Sequence, residues 1–351
     1  MEPLHRKLQG PFIPTFSADL SGQKQSAIMT ILPAKAKPAP KMPAVAITDT
    51  GNLFGALEIS ELLSGAGIQP IMACRFDVTD GGHQEWLTQV SIYAQDEPGY
   101  KRLMELSSAA YLEAEDGVPR LKREHLFEKT DGLILLTGGS QGEAAQYILK
   151  GKQAEAEASL SEFAAAYPGR CYVELTRHGV ADEANSEPGL IDAAYKLGLP
   201  VVATHDCRFM KPEDAKAHDA MMCIANGEYL GQDDRQRVSP EQYLKTAEEM
   251  AALFEDIPEA LANTVEIAKR CGVRARKHAP ILPRFGDGSR SEIDELKVQA
   301  EEGPQVRGHA VQRLDLPGQE RGALRPGLLR GREVEAERRR VRELKRSEHD
   351  D

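Results

Sequence analysis

The stretch 42-MPAVAITDTGNLFGALEISELLSGAGIQPIMACRFDV-78 holds a strand, a turn, a helix and a second strand in one continuous run. The apolar segment 44-AVAIT stops at Asp49, and Gly51-Asn52 supply turn chemistry before a helical period runs over about 54–65. A second apolar segment, 70-PIMACRFDV, follows at once. The same alternation continues through 88-TQVSIYA, 132-GLILLTG, 171-CYVEL and 200-PVVAT, with helical patterns at roughly 98–112, 142–166 and 185–197 between them. Strands alternating with helices through short turns predict parallel strands covered by helices. Six strands, with a seventh expected in the N-terminal segment, suit a barrel better than an open sheet, although periodicity alone does not decide between them. After residue 211 the pattern is helical, and Thr246 followed by Glu249 reads as a capping box.

Beyond this patterned region the chain changes character. Residues 1–41 have no steady period and include the Pro/Ala/Lys segment 31-ILPAKAKPAPK. Residues 42–300 carry the pattern. Residues 301–351 are rich in Arg, Gly and Pro, with eleven arginines from Arg307 onward. Both ends read either as tails with too little apolar surface to order, or as out-of-frame translation of a GC-rich gene.

Composition narrows the function classes. The 351 residues carry a net charge of −11, which argues against a surface that tracks nucleic acid throughout. The N-terminus has no signal-peptide apolar core, and no apolar run reaches the length of a membrane span, so a cytoplasmic protein without membrane contact is expected. Cys74, Cys171, Cys207, Cys223 and Cys271 are odd in number and form no CxxC pair, which points away from a disulfide framework or a structural zinc site.

In a barrel of this class, chemistry gathers at the C-terminal ends of the strands. Asp49, Glu174, His178, His205 and Asp206 stand at or just beyond such ends. Histidines and carboxylates that converge could hold two or three metal ions for phosphoester hydrolysis; each could equally satisfy backbone N–H groups at its strand end. The glycine-rich 135-LLTGGSQGEAAQYIL lacks the Lys-Ser/Thr of a P-loop and reads as a tight turn rather than an anion cradle. His218-Asp219, inside an Ala-rich helix, reads as partly buried hydrogen bonding. No GxSxG and no activated Cys or Ser is evident.

At these residues a family resemblance emerges. MPAVAITDTGNLFGALE, GAGIQPIMACRFDV, PGYKRLMELSSAAY, DGLILLTGG, LPVVATHDCRFMKPEDAKAHDAMMCIANGE and FEDIPEALANTVEIAKRC occur in the order of the PHP (polymerase and histidinol phosphatase) domain of bacterial DNA polymerase III alpha subunits, and together resemble its proteobacterial branch. The resemblance implies an α/β fold: a distorted seven-stranded β/α barrel, here incomplete at the first strand, followed by a helical segment. It also implies a ligand pattern. Metal-binding members begin with a His-x-His strand, absent from PFIPTFSADLSG. They read Asp-His-Gly-Asn where this chain has Asp49, Thr50, Gly51 and Asn52. They place a glutamate at Arg75 and a histidine at Gln89. They end on Asn-Asp-x-His where His205, Asp206, Cys207 and Arg208 stand, and His178 matches a further ligand position. Zinc or manganese serves active members. With arginine at two ligand positions, the pocket is expected to be vestigial and free of metal.

The function implied is that of a non-catalytic scaffold holding the polymerase core and docking the proofreading exonuclease subunit and other replicase subunits. The competing reading is a metal-dependent PHP phosphoesterase or 3′–5′ exonuclease, against which the missing ligands count. A third reading, nucleic-acid binding through the Arg-rich tail, lacks interleaved aromatics. In the family, the palm carboxylates that hold two magnesium ions for polymerisation lie beyond this stretch. The chain alone is therefore expected neither to extend primers nor to bind DNA as the full-length family protein does.

Overall fold

The computed structural model describes residues 15–16, 43–79, 87–114, 116–235, 237–279 and 288–302. Two compact units divide the chain, Met1–Ala279 and Pro280–Asp351. Among the described residues the second unit holds one helix, Glu292–Glu302, and all other elements belong to the first. Residues 303–351, most of the Arg-rich segment, lie outside the described residues, as do 1–14 and 17–42.

The first unit is built on β1 (Thr15–Phe16), β2 (Ala44–Thr50), β3 (Gln69–Thr79), β4 (Thr88–Ala94), β5 (Leu121–Lys122), β6 (Leu133–Leu136), β7 (Cys171–Leu175), β8 (Val201–Ala203) and β9 (Asp206–Cys207). They pair in the order β8-β7-β6-β4-β3-β2-β1-β9, with β5 beside β3 off this path. The two ends of the path are separated in the chain by Thr204-His205 alone. The mixed sheet therefore curls until its ends meet in a single strand that breaks at those two residues. One half of that strand pairs with β7 and the other with β1. This is the expected β/α barrel, and its wall is thinnest at the first strand, where β1 contributes two residues. Those two residues sit inside the segment 1–41 that reads as irregular; a strand this short leaves no period to detect.

One expectation is corrected. The strands are not all parallel, because β4 runs antiparallel to both β3 and β6. The connection from Thr79 to Thr88 is shorter than the dozen or so residues that a parallel crossover requires, so the chain can only turn back on itself. As a result, the first residues of β4 lie beside the C-terminal end of β3, with Gln89 opposite Asp77.

Helices α1 (Ala56–Gly65), α2 (Glu97–Leu112), α3 (Glu143–Leu149), α4 (Gln153–Ala166) and α5 (Ala181–Leu197) cover the outside. Local chemistry sets several ends. The Asp96 carboxylate caps α2 by accepting from Gly99 N–H at 2.9 Å, with Pro98 in the first turn. The single helical pattern over 142–166 is two helices, because Gly151 adopts a φ of 72° between them. After β9 come α6 (Ala215–Asn226), α7 (Ala247–Leu253) and α8 (Pro258–Arg270). Thr246 and Glu249 form the reciprocal capping box at α7.

Alternation along the strands separates two environments. Val45 and Ile47 on β2 pack outward with Cys74, Phe76, Ala56 and Leu63. Ala44 and Ala46 face inward with Ile71, Ala73, Tyr93, Leu136, Tyr172 and Val202. Ile267, Ala268 and Cys271, from the end of α8, belong to this inner cluster. The Gln69 carboxamide ties the start of β3 to the Ala268 and Cys271 carbonyls at 2.8 and 2.7 Å. Thus α8 closes the N-terminal end of the barrel and leaves the opposite end for polar residues. Among the described residues no helix is long and apolar enough to cross a membrane.

The glycine-rich turn after β6 is a tight joint. Gly138 has a φ of 85°, and a Cβ there would overlap the Gln89 backbone oxygen. Its N–H donates to Glu174 Oε2 at 3.0 Å, so an internal carboxylate takes the place an external anion would occupy. Gly138→Ala is expected to destabilise the fold by at least about 2 kcal/mol, measured as a shift of the urea midpoint. A midpoint within error of the wild type would show that the turn can relax freely.

Candidate functional site

The C-terminal ends of the strands converge on Asp206. Its carboxylate Oδ2 accepts from Arg75 Nη1 at 3.2 Å, from Arg208 Nε at 3.0 Å, and lies 2.9 Å from Arg208 Nη2. Gln242 Nε2 approaches the same oxygen at 3.4 Å. All three charged side chains are between 11 and 15% exposed. Burial alone would raise the Asp206 pKa, but Arg208 and Arg75 hold it well below the usual carboxylate range. For Arg75, burial works against the charge, while Asp206 and then Glu174 more than compensate and raise its pKa. Asp206 Oδ1, also buried, has no hydrogen-bond partner among the described residues.

A second polar cluster backs the first. The Asp206 N–H donates to His178 Nε2 at 3.1 Å, so that nitrogen is the acceptor and the ring proton sits on Nδ1, 2.6 Å from Glu183 Oε1. Glu183 Oε2 also accepts from the His178 backbone N–H at 2.6 Å. Burial alone would raise the Glu183 pKa, and the His178 ring and amide bring it below its ordinary value. The His205 ring lies 4.6 Å from that of His178 and donates through Nε2 to the Tyr243 carbonyl at 2.8 Å. Burial, with His178 second, pushes His205 down to about 4. Glu174 accepts from Thr204 Oγ1 at 2.6 Å and from Gly138 N–H.

The residues singled out from the sequence are only partly brought together. Arg75, Asp206 and Arg208 meet, with His178 and His205 directly behind them. Thr50 pairs in register with Arg75 and shares its inward face, whereas Asp49 pairs with Cys74 on the outward face. The Asp49 carbonyl accepts from Cys74 Sγ at 3.3 Å. Asn52 staples the turn: its Nδ2 donates to the Thr50 carbonyl and its Oδ1 accepts from Phe54 N–H. Gln89 donates to Asp77 Oδ1 at 2.8 Å across the β3–β4 pair. His218-Asp219 lies on α6, where the His218 ring meets that of Phe209 at 5.6 Å between centroids and Asp219 pairs with Arg235. Sequence reading missed Glu183, Gln242, Asp77 and Tyr243. Of these, Glu183 alone left a local trace, as an acidic residue in the first turn of α5.

The family resemblance implies a divalent metal, and the described residues do not fit one. The Asp206 carboxylate already accepts from two guanidiniums, whose fixed positive charges oppose a dication at the same oxygen. His178 Nε2 spends its lone pair on a backbone amide, and the Gln89 carboxamide is engaged by Asp77. Asp206 Oδ1 remains as a single oxygen, which suits a water better than a metal cluster. Among the described residues no group of three or more His, Cys, Asp or Glu is placed to hold a metal ion.

Residues 30–178 match the family model described as PHP domain. The chain is similar, in particular, to DNA polymerase III subunit alpha. It is 46% identical over 275 residues to that of Caulobacter vibrioides, covering 76% of this chain and 24% of the relative. Identity is 40% over 268 residues to the Escherichia coli K12 protein, covering 76% and 23%. It is 37% over 292 residues to the Pseudomonas aeruginosa protein, covering 82% and 25%. The chain thus spans about a quarter of the length of these curated relatives. Among solved structures, an amidohydrolase from Chromobacterium violaceum matches at a TM-score of 0.39 and 13% identity, covering 56% of this chain and 87% of that one.

Proposed function

We propose that this chain is a metal-free PHP module of the replicative DNA polymerase, working in the cytoplasm as a scaffold. It holds the polymerase core and docks the proofreading exonuclease subunit, with no hydrolysis of its own. The observation that carries this reading is the clamp on Asp206. Two guanidiniums stand where metal-dependent relatives of the fold would need ligands, and they neutralise the carboxylate that would otherwise recruit a cation. A metal-bound hydroxide needs an open cation with several fixed ligands, and this arrangement supplies none. The similarity to DNA polymerase III alpha subunits over three-quarters of the chain supports the placement in replication. By the same reasoning the chain alone neither extends primers nor hydrolyses single-stranded DNA.

The test joins metal content, activity and binding. The purified chain, dialysed and then supplied with zinc, manganese or magnesium, should retain no stoichiometric metal. It should cleave single-stranded DNA no faster than Asp206→Ala does. Stoichiometric zinc or manganese, or turnover that vanishes in Asp206→Ala, would establish the phosphoesterase reading instead. In a parallel pull-down the chain should retain the proofreading exonuclease subunit. Absence of that complex would remove the scaffold role while leaving the metal-free reading intact.

A further inference from the structure

Residues 271–277, CGVRARK, follow α8 with a strict alternation of burial. Cys271, Val273 and Ala275 are buried at 0, 8 and 6% exposure, while Gly272, Arg274 and Arg276 are exposed. A period of two is that of an extended strand, yet this segment pairs with no strand among the described residues. The Ala275 carbonyl accepts from Ser60 Oγ at 3.0 Å, and the Gly272 N–H donates to the Gln95 carbonyl at 2.9 Å. From Val273 to Lys277 the backbone makes no other hydrogen bond to the described residues. Arg274 and Arg276 form no ion pair among those residues, whereas Lys277 reaches Glu61 at 2.8 Å. Between Glu266 and Asp287 the sequence contains no acidic residue. A groove of about 520 Å³ runs between this segment and α1, lined by Ser60, Ser64, Arg274, Arg276 and Lys277 among others.

We propose that residues 273–277 are a recognition edge for an acidic peptide that docks in extended conformation as an added strand. The open N–H and C=O groups would give main-chain bonds, and the guanidiniums, two residues apart on one face, would read acidic side chains at alternate positions of the partner. Their separation along the strand, roughly 6.6 Å, is the repeat of same-face side chains on a paired strand. A nucleic-acid strand fits less well. The groove wall carries Glu61 and no aromatic side chain on which a base could stack. This proposal concerns a surface away from Asp206 and does not depend on the metal-free reading.

The test uses the full chain and a fluorescent ten-residue peptide with Asp at alternate positions, read by anisotropy at low salt. Binding should weaken about fivefold or more in Arg274→Ala/Arg276→Ala, a loss consistent with two exposed charge pairs. It should be largely restored in Arg274→Lys/Arg276→Lys. Methylating alternate backbone nitrogens of the peptide should weaken binding further, since that removes donors without changing charge. Equal binding by the alanine variant, with its melting temperature unchanged, would overturn the proposal. Equal binding of the methylated peptide would overturn strand addition. A single-stranded oligonucleotide of matched charge that binds more tightly than the peptide would reassign the edge to nucleic acid.

Discussion

Asp206→Ala is expected to lower the stability of the chain by about 3–5 kcal/mol, the usual cost of removing one partner from a buried ion pair. The substitution deletes few contacts of its own. Its effect comes from Arg75 and Arg208, which stay charged and largely buried after losing the carboxylate they share. Arg75 cannot escape by releasing a proton, because a guanidinium holds its charge throughout the accessible pH range. Replacing the whole cluster, as Arg75→Met, Asp206→Leu and Arg208→Met, should cost less than the single change, since the two guanidiniums then leave together with the carboxylate they share. Urea unfolding followed by far-ultraviolet circular dichroism measures both. A single variant as stable as the wild type would mean that water or another side chain already compensates the two arginines.

A loss of roughly 3 kcal/mol is expected as pH falls from about 6.5 to 4, owing to His205. Its folded pKa, about 4, lies below the ordinary histidine value because the ring is buried beside His178. Between the two values the unfolded chain takes up a proton that the folded chain refuses, so stability is full above about 6.5 and declines through this window. His218 is shifted in the same direction, by burial and then by Arg208, and adds to the slope. Asp206 acts lower down: its folded pKa is depressed, so its contribution is intact above about 3.9 and is lost in stronger acid. His205→Gln places an amide nitrogen near the position of the imidazole Nε2, so it keeps a donor for the Tyr243 carbonyl and removes the titration. The variant should therefore show a flatter stability profile between pH 6.5 and 4. An unchanged slope would assign the acid sensitivity to other groups.

Much of this architecture is legible in local sequence. The strand–turn–helix–strand reading of 42–78 is reproduced by β2, α1 and β3, because apolar periodicity reports on residues one or two turns apart. The Thr246–Glu249 box is legible for the same reason: both partners lie within one helical turn. The reading that sets Thr50, Arg75, Gln89 and Arg208 against the ligand positions of the resembling family likewise uses the sequence alone. Which side of a strand faces the pocket is not. On β2 both faces are apolar, so alternation separates Asp49 from Thr50 without saying that Thr50 is the one beside Arg75.

Only the tertiary structure decided that Arg75 and Arg208 converge on Asp206, across a separation of 131 residues in the first case. It also decided that His178 faces Glu183 with one nitrogen and the Asp206 amide with the other, and that α8 closes the far end of the barrel. The physical reason lies in what each kind of contact depends on. Local elements follow from backbone sterics, capping and the spacing of apolar side chains, all written within a dozen residues. The site depends on the order in which strands pair and on where the curling sheet brings its two ends together, at Thr204-His205. That order is set by the burial of the whole core, to which no short stretch of sequence has access.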